Sequence, residues 1–290
     1  MYHIIVREDN LKKRKNLKKF NKVIEIFDKA KLDYTVHKTN RKGLASEICA
    51  EVTSGTGNSV IVMGGDGMLH DVLNGFVNFD GNFIGLIPLG TGNDFAASAN
   101  IPKDAKKAAE IIVEGRPRPV DFIELSSGLR SMNAVGMGID VDVLKQAYSG
   151  KNTKKSKYLH SLIVCLAKFK SYDFTVRYDG KESSHSGLIA AVGNGKQIGG
   201  GIKTFPEAKI DDGYMDLLIA DFISRPKIIG AFLKLMRGKI RKIKQVTAVK
   251  TKYVEFIPKG ENYTIQADGE LYDNVPLIAK VAENKLNFYM

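Results

Sequence analysis

The stretch Asn58-Ser-Val-Ile-Val-Met-Gly-Gly-Asp-Gly67 decides the fold of the first half of this chain. An apolar run typical of a buried strand leads into Gly64-Gly-Asp-Gly67, and the residues from Met68 to Val77 have a helical pattern. Glycines let backbone N–H groups approach a polyphosphate closely, and a helix start adds partial positive charge there. The order of strand, glycine loop and helix predicts a phosphate site, although the tetrapeptide alone also fits a tight turn with a solvated Asp66.

A second glycine loop supports the phosphate interpretation. Phe83-Ile-Gly-Leu-Ile-Pro88 reads as another buried strand, and it continues into Leu89-Gly-Thr-Gly-Asn-Asp94 and a helix-compatible segment from Phe95 to Ala99. Two such units in a parallel sheet bring both loops to the carboxyl ends of their strands, where ligands bind.

Three acidic residues follow successive predicted strands. Asp66 cannot face phosphates without a cation or a hydrogen-bond donor between them, so its position predicts Mg2+. Asp94 and Asp121 could converge on the same ion. As alternatives, Asp94 is the N-cap of the next helix and Asp121 is a surface acid at a strand end.

Four motifs in order carry a family resemblance: Gly64-Gly-Asp-Gly67, Leu89-Gly-Thr-Gly-Asn-Asp-Phe95, Val120-Asp121 and Ala267-Asp-Gly-Glu270. Over nearly the whole chain the sequence resembles the diacylglycerol kinase catalytic-domain family of bacterial lipid kinases. The resemblance implies an α/β nucleotide-binding domain with a parallel sheet, similar to NAD kinases and phosphofructokinases, and a C-terminal all-β sandwich domain, with the active site in the cleft between the domains. It implies an ATP- and Mg2+-dependent kinase for a lipid alcohol, with diacylglycerol the first choice; it does not specify the lipid.

The nucleotide contacts are assigned by residue. We assign the triphosphate to the first loop and the backbone after it, and we add residues of the second loop. The resemblance adds Thr39, which follows the second predicted strand. The full set is Thr39, Gly64, Gly65, Asp66, Gly67, Met68, Leu69, His70, Asp71, Gly90, Thr91 and Asn93.

The acceptor hydroxyl must lose a proton, and a carboxylate can take it. The resemblance makes Asp268 and Glu270 the candidates, with Asp268 preferred; strand periodicity puts the two on the same side, so Glu270 stays open as the base. Asp-Gly is also a strong signal for a hairpin turn.

The resemblance also implies a structural cation on Asp212 and the carbonyls of Lys209 and Tyr214, for which a plain hairpin is the alternative. The sequence departs from the family in two places. Val6-Arg-Glu-Asp-Asn10 lacks the usual Asn-Pro and Ser-Gly, and Met68 replaces a threonine.

The change in pattern predicts two domains, 1–121 and 122–290, with the chain end expected to return to the first. Strands are predicted near 2–6, 33–37, 58–63, 83–88 and 119–125, followed by an antiparallel sandwich. Helices are predicted at 157–172 and 226–239, the second with Ser224 as N-cap, and both are expected to pack over a sheet.

The net charge of +12 is concentrated at Lys12–Lys15, Lys151–Lys157 and Lys234–Lys252. Such clusters attract anionic surfaces, and a peripheral contact with an anionic membrane is expected, with solvated helices as the alternative. Nucleic acid is not expected, since the chain has no tryptophan and no nucleic-acid-binding motif.

No apolar stretch is long enough to span a bilayer and no leader peptide is apparent, which predicts a cytoplasmic protein. Cys49 and Cys165 have no metal-ligand or redox spacing and are expected to be core residues. A homodimer is left open. The competing functions are a kinase for another lipid or for a soluble alcohol, such as a sphingoid base, phosphatidylglycerol or an NAD-like nucleotide, and a catalytically silent nucleotide- or lipid-binding protein.

Overall fold

A computed structural model describes residues 1–148, 155–169 and 171–290. These residues form two compact units. The first contains Met1–Asp121 and Glu283–Met290, and the second contains Phe122–Ala282. Across the described ranges, no helix is long and apolar enough to cross a bilayer. The basic cluster expected at Lys151–Lys157 lies largely outside the described residues.

The first unit is built on a mostly parallel sheet. Its strands are β1 (Tyr2–Arg7), β2 (Tyr34–Thr39), β3 (Ser59–Gly64), β4 (Phe83–Pro88), β5 (Pro117–Val120) and β17 (Leu286–Tyr289). They lie in the order β2-β1-β3-β4-β17-β5. Its helices are α1 (Glu8–Leu11), α2 (Arg14–Lys29), α3 (Leu44–Val52), α4 (Asp66–Gly75), α5 (Asp94–Ser98) and α6 (Ala105–Glu114). The predicted parallel α/β domain is confirmed.

The sequence accounts for these elements locally. All residues of β3 are buried, as expected for a central strand of a parallel sheet covered on both faces. The N-cap Asp104 fixes the start of α6, because its carboxylate accepts hydrogen bonds from the N–H groups of Lys106 and Lys107 at 3.0 and 3.1 Å.

The strand predicted at 119–125 is wrong as a single element. The chain forms β5 at the edge of the first sheet, antiparallel to β17, and then β6 (Ile123–Leu125) in the sheet of the second unit. Pro117 and Pro119 lie in β5, which suits an edge strand because proline cannot donate to a ladder. Asp121 therefore lies between two strands of different sheets.

The second unit is an antiparallel β sandwich, as predicted. After β6 its strands are β7 (Arg130–Ser131), β8 (Ala134–Gly138), β9 (Tyr172–Tyr178), β10 (Lys181–Gly193), β11 (Met215–Asp221), β12 (Val246–Thr251), β13 (Tyr253–Pro258), β14 (Thr264–Ala267), β15 (Glu270–Asp273) and β16 (Leu277–Val281). One cluster of buried apolar side chains from these strands forms a core of the unit. It includes Val135, Phe174, Val192, Phe256 and Ile265.

Three helices and a short 3-10 turn belong to this unit: α7 (Ile139–Tyr148), α8 (Lys155–Lys168), α9 (Arg225–Met236) and the turn Ile240–Lys242. Helices α8 and α9 pack over the sheet as predicted, since Leu162 and Phe232 share a core cluster with Leu188 and Leu218. Helix α8 is shorter than predicted because Tyr172 begins β9. Ser224 is the N-cap of α9 but makes no capping hydrogen bond with its side chain. Helix α7 was not predicted.

Candidate active-site residues

The first glycine loop lies at the carboxyl end of β3. β3 ends at Gly64 and α4 begins at Asp66, two residues earlier than predicted, so that Gly65 alone connects them. Asp66 and Gly67 form the first helical turn, where N–H groups have no acceptor within the helix. The loop therefore presents a helix N-terminus, the environment that favours a phosphate.

The two glycine loops touch through their backbones. A Cβ atom built on Gly90 would lie 2.7 Å from Gly65 Cα, and one built on Gly65 would lie 3.0 Å from Gly90 Cα. The N–H groups of Leu89 and Gly90 donate to Gly64 O at 2.8 and 3.3 Å. The contact leaves no space for a side chain on either glycine, which is the physical reason for both.

The carboxylate of Asp66 joins the loops. It accepts hydrogen bonds from the N–H groups of Asp94 and Phe95, each at 3.2 Å. These N–H groups belong to the first turn of α5, so Asp66 acts as an N-terminal cap supplied by another helix. Asn93 is the N-cap residue of α5, so the alternative with Asp94 as the N-cap is wrong.

The residues after Gly67 lie within α4. The N–H groups of Met68 and Leu69 donate to Gly65 O, each at 3.1 Å. The side chain of Met68 is buried against Gly64, and His70 is buried in the helix together with the half-buried Asp71. A helix bonds its own N–H groups after the first turn, so the N–H groups of Gly65 to Gly67 are the ones without an acceptor in the helix, and the nucleotide contacts of Met68 to Asp71 stay a prediction.

The second loop supplies an oxygen without a partner. Asn93 has a left-handed backbone with φ of 53°, and its Nδ2 donates to Gly90 O at 2.7 Å. Its Oδ1 is buried and has no hydrogen-bond partner among the residues that the structure describes. Gly90 and Thr91 beside it are exposed. A buried amide oxygen without a donor suits a hard cation such as Mg2+, which takes oxygen ligands.

The three acids predicted for Mg2+ do not form one cluster. Asp66 and Asp94 are adjacent, but Asp121 is 1% exposed and pairs with Lys285 at 2.8 Å. Within the part of the chain that is described, no group of three or more His, Cys, Asp and Glu residues is arranged to hold a metal. Lys285 comes from the returning chain end, which local sequence around Asp121 does not reveal.

Thr39 is the last residue of β2 and is buried, opposite Arg7 of β1. Its position at a carboxyl strand end agrees with the predicted edge of the sheet, and its contact with a nucleotide stays a prediction.

In the second unit, Asp268 lies in a tight hairpin turn. Ala267 pairs with Glu270, and Asp268 and Gly269 have φ values of 52° and 90°. Positive φ at both central residues is the signature of a type I′ turn, for which Asp-Gly is a preferred sequence. The hairpin alternative is correct for the backbone.

The Asp268 side chain accepts hydrogen bonds from four donors. Ser131 Oγ, Asn133 N and Ala134 N donate to Oδ1 at 2.7, 2.8 and 3.2 Å, and Met132 N donates to Oδ2 at 2.9 Å. These four hydrogen bonds hold the carboxylate in one orientation.

Glu270 begins β15 and is half-buried. The Tyr148 hydroxyl donates to Gly269 O at 2.6 Å, and burial, together with the Glu270 charge, raises the pKa of Tyr148. An uncharged phenol therefore contacts the turn that lies between the two candidate bases, Asp268 and Glu270.

Two asparagines in this region were missed by sequence analysis. Asn133 O accepts from the N–H groups of Asn194 and Gly195, and Asn133 Nδ2 donates to Gln197 O at 2.7 Å. The Asn194 amide donates to Met132 O at 3.0 Å. These bonds fasten the segment that holds Asp268; the glycines flanking Asn194 were the available signal.

The proposed structural cation site contains a lysine. Asp212 accepts from Tyr214 N at 3.1 Å and pairs with Lys250, whose ammonium also lies 3.6 Å from Asp216. The ammonium of Lys250 therefore forms ion pairs with the carboxylates of both Asp212 and Asp216. The turn expected as the alternative is present, and a metal on Asp212 and the carbonyls of Lys209 and Tyr214 stays a prediction.

Comparison with known families identifies both units. The diacylglycerol kinase catalytic domain matches residues 7–125, and the YegS C-terminal NAD kinase beta sandwich-like domain matches residues 133–290. The chain therefore belongs to the family of lipid kinases that combine these two domains.

Individual relatives agree with this class. A diacylglycerol kinase of Bacillus subtilis is 26% identical over 258 residues, covering 88% of this chain and 84% of the relative. A solved diacylglycerol kinase from Bacillus anthracis has a TM-score of 0.76 at 20% identity, covering 99% of this chain and 96% of its own. An NAD kinase from Archaeoglobus fulgidus, solved in complex with ATP, has a TM-score of 0.53 at 13% identity and covers 100% of this chain and 94% of its own. Both solved structures share their fold with this chain.

Proposed function

We propose that this lipid kinase transfers the γ-phosphate of ATP to the hydroxyl of a membrane lipid, with diacylglycerol as the acceptor and Mg2+ as the cofactor. The observation that carries the proposal is the backbone contact between Gly65 and Gly90, because it joins two glycine loops at neighbouring carboxyl strand ends. Such a surface of backbone N–H groups and a helix N-terminus is suited to a polyphosphate.

In the proposed complex, Gly65 to Gly67 and the exposed Gly90 and Thr91 bind phosphate oxygens. Asp66, Asp94 and the Asn93 oxygen would hold Mg2+, which uses few carboxylates when phosphates complete its shell. Bound there, the ion would neutralise charge on the phosphates.

The acceptor oxygen forms a bond to the γ-phosphorus as the bond from phosphorus to the bridging oxygen of ADP breaks, and the hydroxyl proton passes to a carboxylate. Asp268 is proposed to orient this hydroxyl and take its proton, because four hydrogen bonds hold its carboxylate in one orientation. Glu270 is the second candidate. The predicted cleft between the domains stays a prediction.

The proposed partner is an anionic membrane surface. No Asp or Glu occurs between Phe222 and Val254, and this segment includes the whole Lys234–Lys252 cluster. Helix α9 also has exposed apolar side chains, Leu233 and Met236 at 47% and 36%. A helix that combines outward apolar residues with lysines is typical of an interfacial contact.

The test is transfer of labelled γ-phosphate from ATP to lipid in mixed micelles with Mg2+. Wild type should label diacylglycerol, Asp268→Ala should not, and Asp273→Ala on the same hairpin should behave as wild type. Phosphorylation of soluble alcohols without micelles would show that the acceptor is a soluble alcohol and not a lipid. ATP binding without transfer to any alcohol would favour a catalytically silent binding protein.

A further inference from the structure

A buried glutamine holds the turn that carries the two candidate bases. Gln266 in β14 is 4% exposed, and its Oε1 accepts a hydrogen bond from Gly269 N at 3.0 Å. Gly269 lies between Asp268 and Glu270, so this bond fixes the peptide that separates the two acids. The geometry of the turn therefore depends on a side chain that has no part in the proposed phosphoryl transfer itself.

The Gln266 amide also contacts an acid of α7. Asp140 is 3% exposed, and the side chain of Gln266 hydrogen-bonds its carboxylate. The Val141 N–H donates to Asp140 Oδ1 at 3.0 Å. A Cβ atom built on Gly136 would lie 2.4 Å from Asp140 Oδ2, and Gly136 pairs with Gln266 across β8 and β14. Oδ2 is therefore the carboxyl oxygen on the side of Gln266.

The charge of Asp140 decides which way the Gln266 amide points. A carboxylate only accepts hydrogen bonds, so beside ionised Asp140 the amide donates with Nε2 and keeps Oε1 for Gly269 N. If Asp140 gains a proton, the Val141 N–H still occupies Oδ1, and the proton resides on Oδ2. The amide then turns its oxygen to this new donor and its NH2 group to Gly269 N. Two donors face each other there, and the bond to the turn is lost.

We propose that Asp140 and Gln266 are positioning residues for phosphoryl transfer: ionised Asp140 orients the Gln266 amide, which holds the turn with Asp268 and Glu270, and protonation of Asp140 releases the turn. The proposal rests on the lipid kinase function proposed above and adds a pH dependence to it. A general base must be held within hydrogen-bond reach of the proton it takes, so release of the turn lowers the rate of the chemical step.

The environment of Asp140 places its protonation near neutral pH. Burial raises its pKa to about 7, and the charge of Asp142 on the same helix also raises it. The hydrogen bonds from Gln266 and from the Val141 N–H lower this pKa, because they stabilise the ionised carboxylate. The ionised form therefore prevails above about pH 7 and the protonated form below it.

The other titratable groups around Asp140 are uncharged near neutral pH, apart from Asp142. Tyr172 of β9 donates to Asp142, and burial raises the pKa of both Tyr172 and Cys165 of α8. Strand β8 presents Gly136 to Asp140, and β14 presents the neutral amide described above. Among the described residues, the others that line the cavity beside Asp140 are uncharged. Asp140 is therefore the group of this cluster that changes its charge near neutral pH.

The first measurement is the pH profile of kcat for transfer of labelled phosphate to diacylglycerol in mixed micelles. From pH 8 to pH 6, wild-type kcat should fall by about tenfold, the scale of one lost hydrogen bond. The loss is partial because the Tyr148 hydroxyl still donates to Gly269 O. The KM for ATP should not change, since the residues proposed to bind ATP belong to the first unit.

Asp140→Asn imitates the protonated acid. The Val141 N–H keeps the amide oxygen in place, so the new NH2 group faces Gln266. At pH 8 its kcat should be about tenfold below wild type, and the change near pH 7 should be absent. Asp173→Asn, at an exposed position of β9, is the matched control and should behave as wild type. A pH profile of Asp140→Asn that matches wild type would overturn the proposal.

The double variant Asp140→Asn with Gln266→Glu tests orientation against simple loss of packing. The new amide at position 140 donates to the new carboxylate at position 266, whose second oxygen accepts from Gly269 N. This exchange restores the bond to the turn, so most of the wild-type kcat at pH 8 should return. A double variant as slow as Asp140→Asn, with the melting temperature of wild type, would overturn the proposed role of the amide.

A readout without catalysis separates this proposal from the kinase function. The NMR chemical shift of the Gly269 amide proton should titrate with a midpoint of about 7 in wild type and stay constant in Asp140→Asn. A Gly269 shift that does not change between pH 6 and pH 8 in wild type would overturn the proposal, even in an active kinase. A titrating Gly269 shift in a protein that phosphorylates no lipid would keep the dependence of the turn on Asp140 and reject the kinase proposal.

Discussion

Asp66 in the first unit and Asp268 in the second both hold a neighbouring loop by its backbone N–H groups. Asp66 accepts from residues 28 and 29 positions away, within two motifs that follow one another. Asp268 accepts from residues 134 to 137 positions away. Both acids therefore position the backbone of another segment, whatever their part in catalysis. The hydrogen bonds of Asp66 join neighbouring motifs and can be anticipated from local sequence, whereas those of Asp268 join segments too far apart in the chain for that.

The two regions also differ in what surrounds the carboxylate. Around Asp66 the two loops meet through glycine backbones, because the contact between Gly65 and Gly90 leaves no space for side chains. Around Asp268 the support comes from a side-chain hydroxyl and from the asparagine bonds of Asn133 and Asn194. The first region depends on small residues, and the second on long-range hydrogen bonds.

The largest expected effect separates activity from stability at Asp268. Asp268→Asn keeps an oxygen for the three donors to Oδ1 but loses the charge and the acceptor for Met132 N, so kcat should fall by about 10³ while the free energy of unfolding falls by about 1 kcal/mol. Asp268→Ala leaves the donors unsatisfied and should also cost about 1–3 kcal/mol in urea unfolding. If Asp268→Asn stays active while Glu270→Gln does not, then Glu270 is the base and Asp268 only holds the loop.

Gly90→Ala tests the first region. The added methyl group would lie 2.7 Å from Gly65 Cα, so the two loops must separate. The Kd for ATP should rise by about tenfold or more, since each 1.4 kcal/mol of lost binding free energy is a factor of ten. Isothermal titration with ATP and Mg2+ measures it, and Gly55→Ala, which meets no atom within 4 Å, is the control. Unchanged ATP affinity would end the proposal that this contact forms the phosphate site.

Lys250→Met tests how much an ion pair stabilises the second unit, in contrast to the backbone hydrogen bonds of Asp268. Burial raises the pKa of Asp216, and Lys250 opposes that shift. Removing the ammonium should cost about 1–2 kcal/mol, less than for a fully buried pair because Lys250 is a third exposed. Thermal unfolding with and without Mg2+ measures the loss, and Mg2+ should restore part of it. Lys252→Met is the control; equal melting temperatures for both variants would show that the pair is not stabilising.

The smallest effect is a pH dependence in the first unit, away from the glycine loops. His3 Nδ1 lies 3.1 Å from His37 Nε2, and burial lowers the pKa of both residues. The native state therefore binds protons less readily than the unfolded chain, so this stability is present above the unfolded pKa of about 6.5 and is lost as the pH falls through it.

The melting temperature should decrease from pH 7.5 to 5.5 in wild type and less in His37→Asn. The hydrogen bond with Asn58 and the charges of Asp33 and Glu51 raise the pKa of His3 and so limit the size of the effect, whereas the N-terminal charge lowers this pKa further. His160→Gln, at an exposed position, is the control. The same pH slope in wild type and His37→Asn would show that the pair does not titrate between these values.

By itself, the sequence determined the parallel α/β unit, the two glycine loops, the antiparallel sandwich and the membership in a lipid-kinase family. These follow from local patterns: buried strands, glycines where backbones touch, and Asp-Gly in a tight turn. Tertiary structure alone decided that Asp121 pairs with Lys285, that Lys250 stands between Asp212 and Asp216, and that Asp140 hydrogen-bonds Gln266. Each depends on residues that are distant in the chain and meet through sheet order and packing, which periodicity within a segment does not encode.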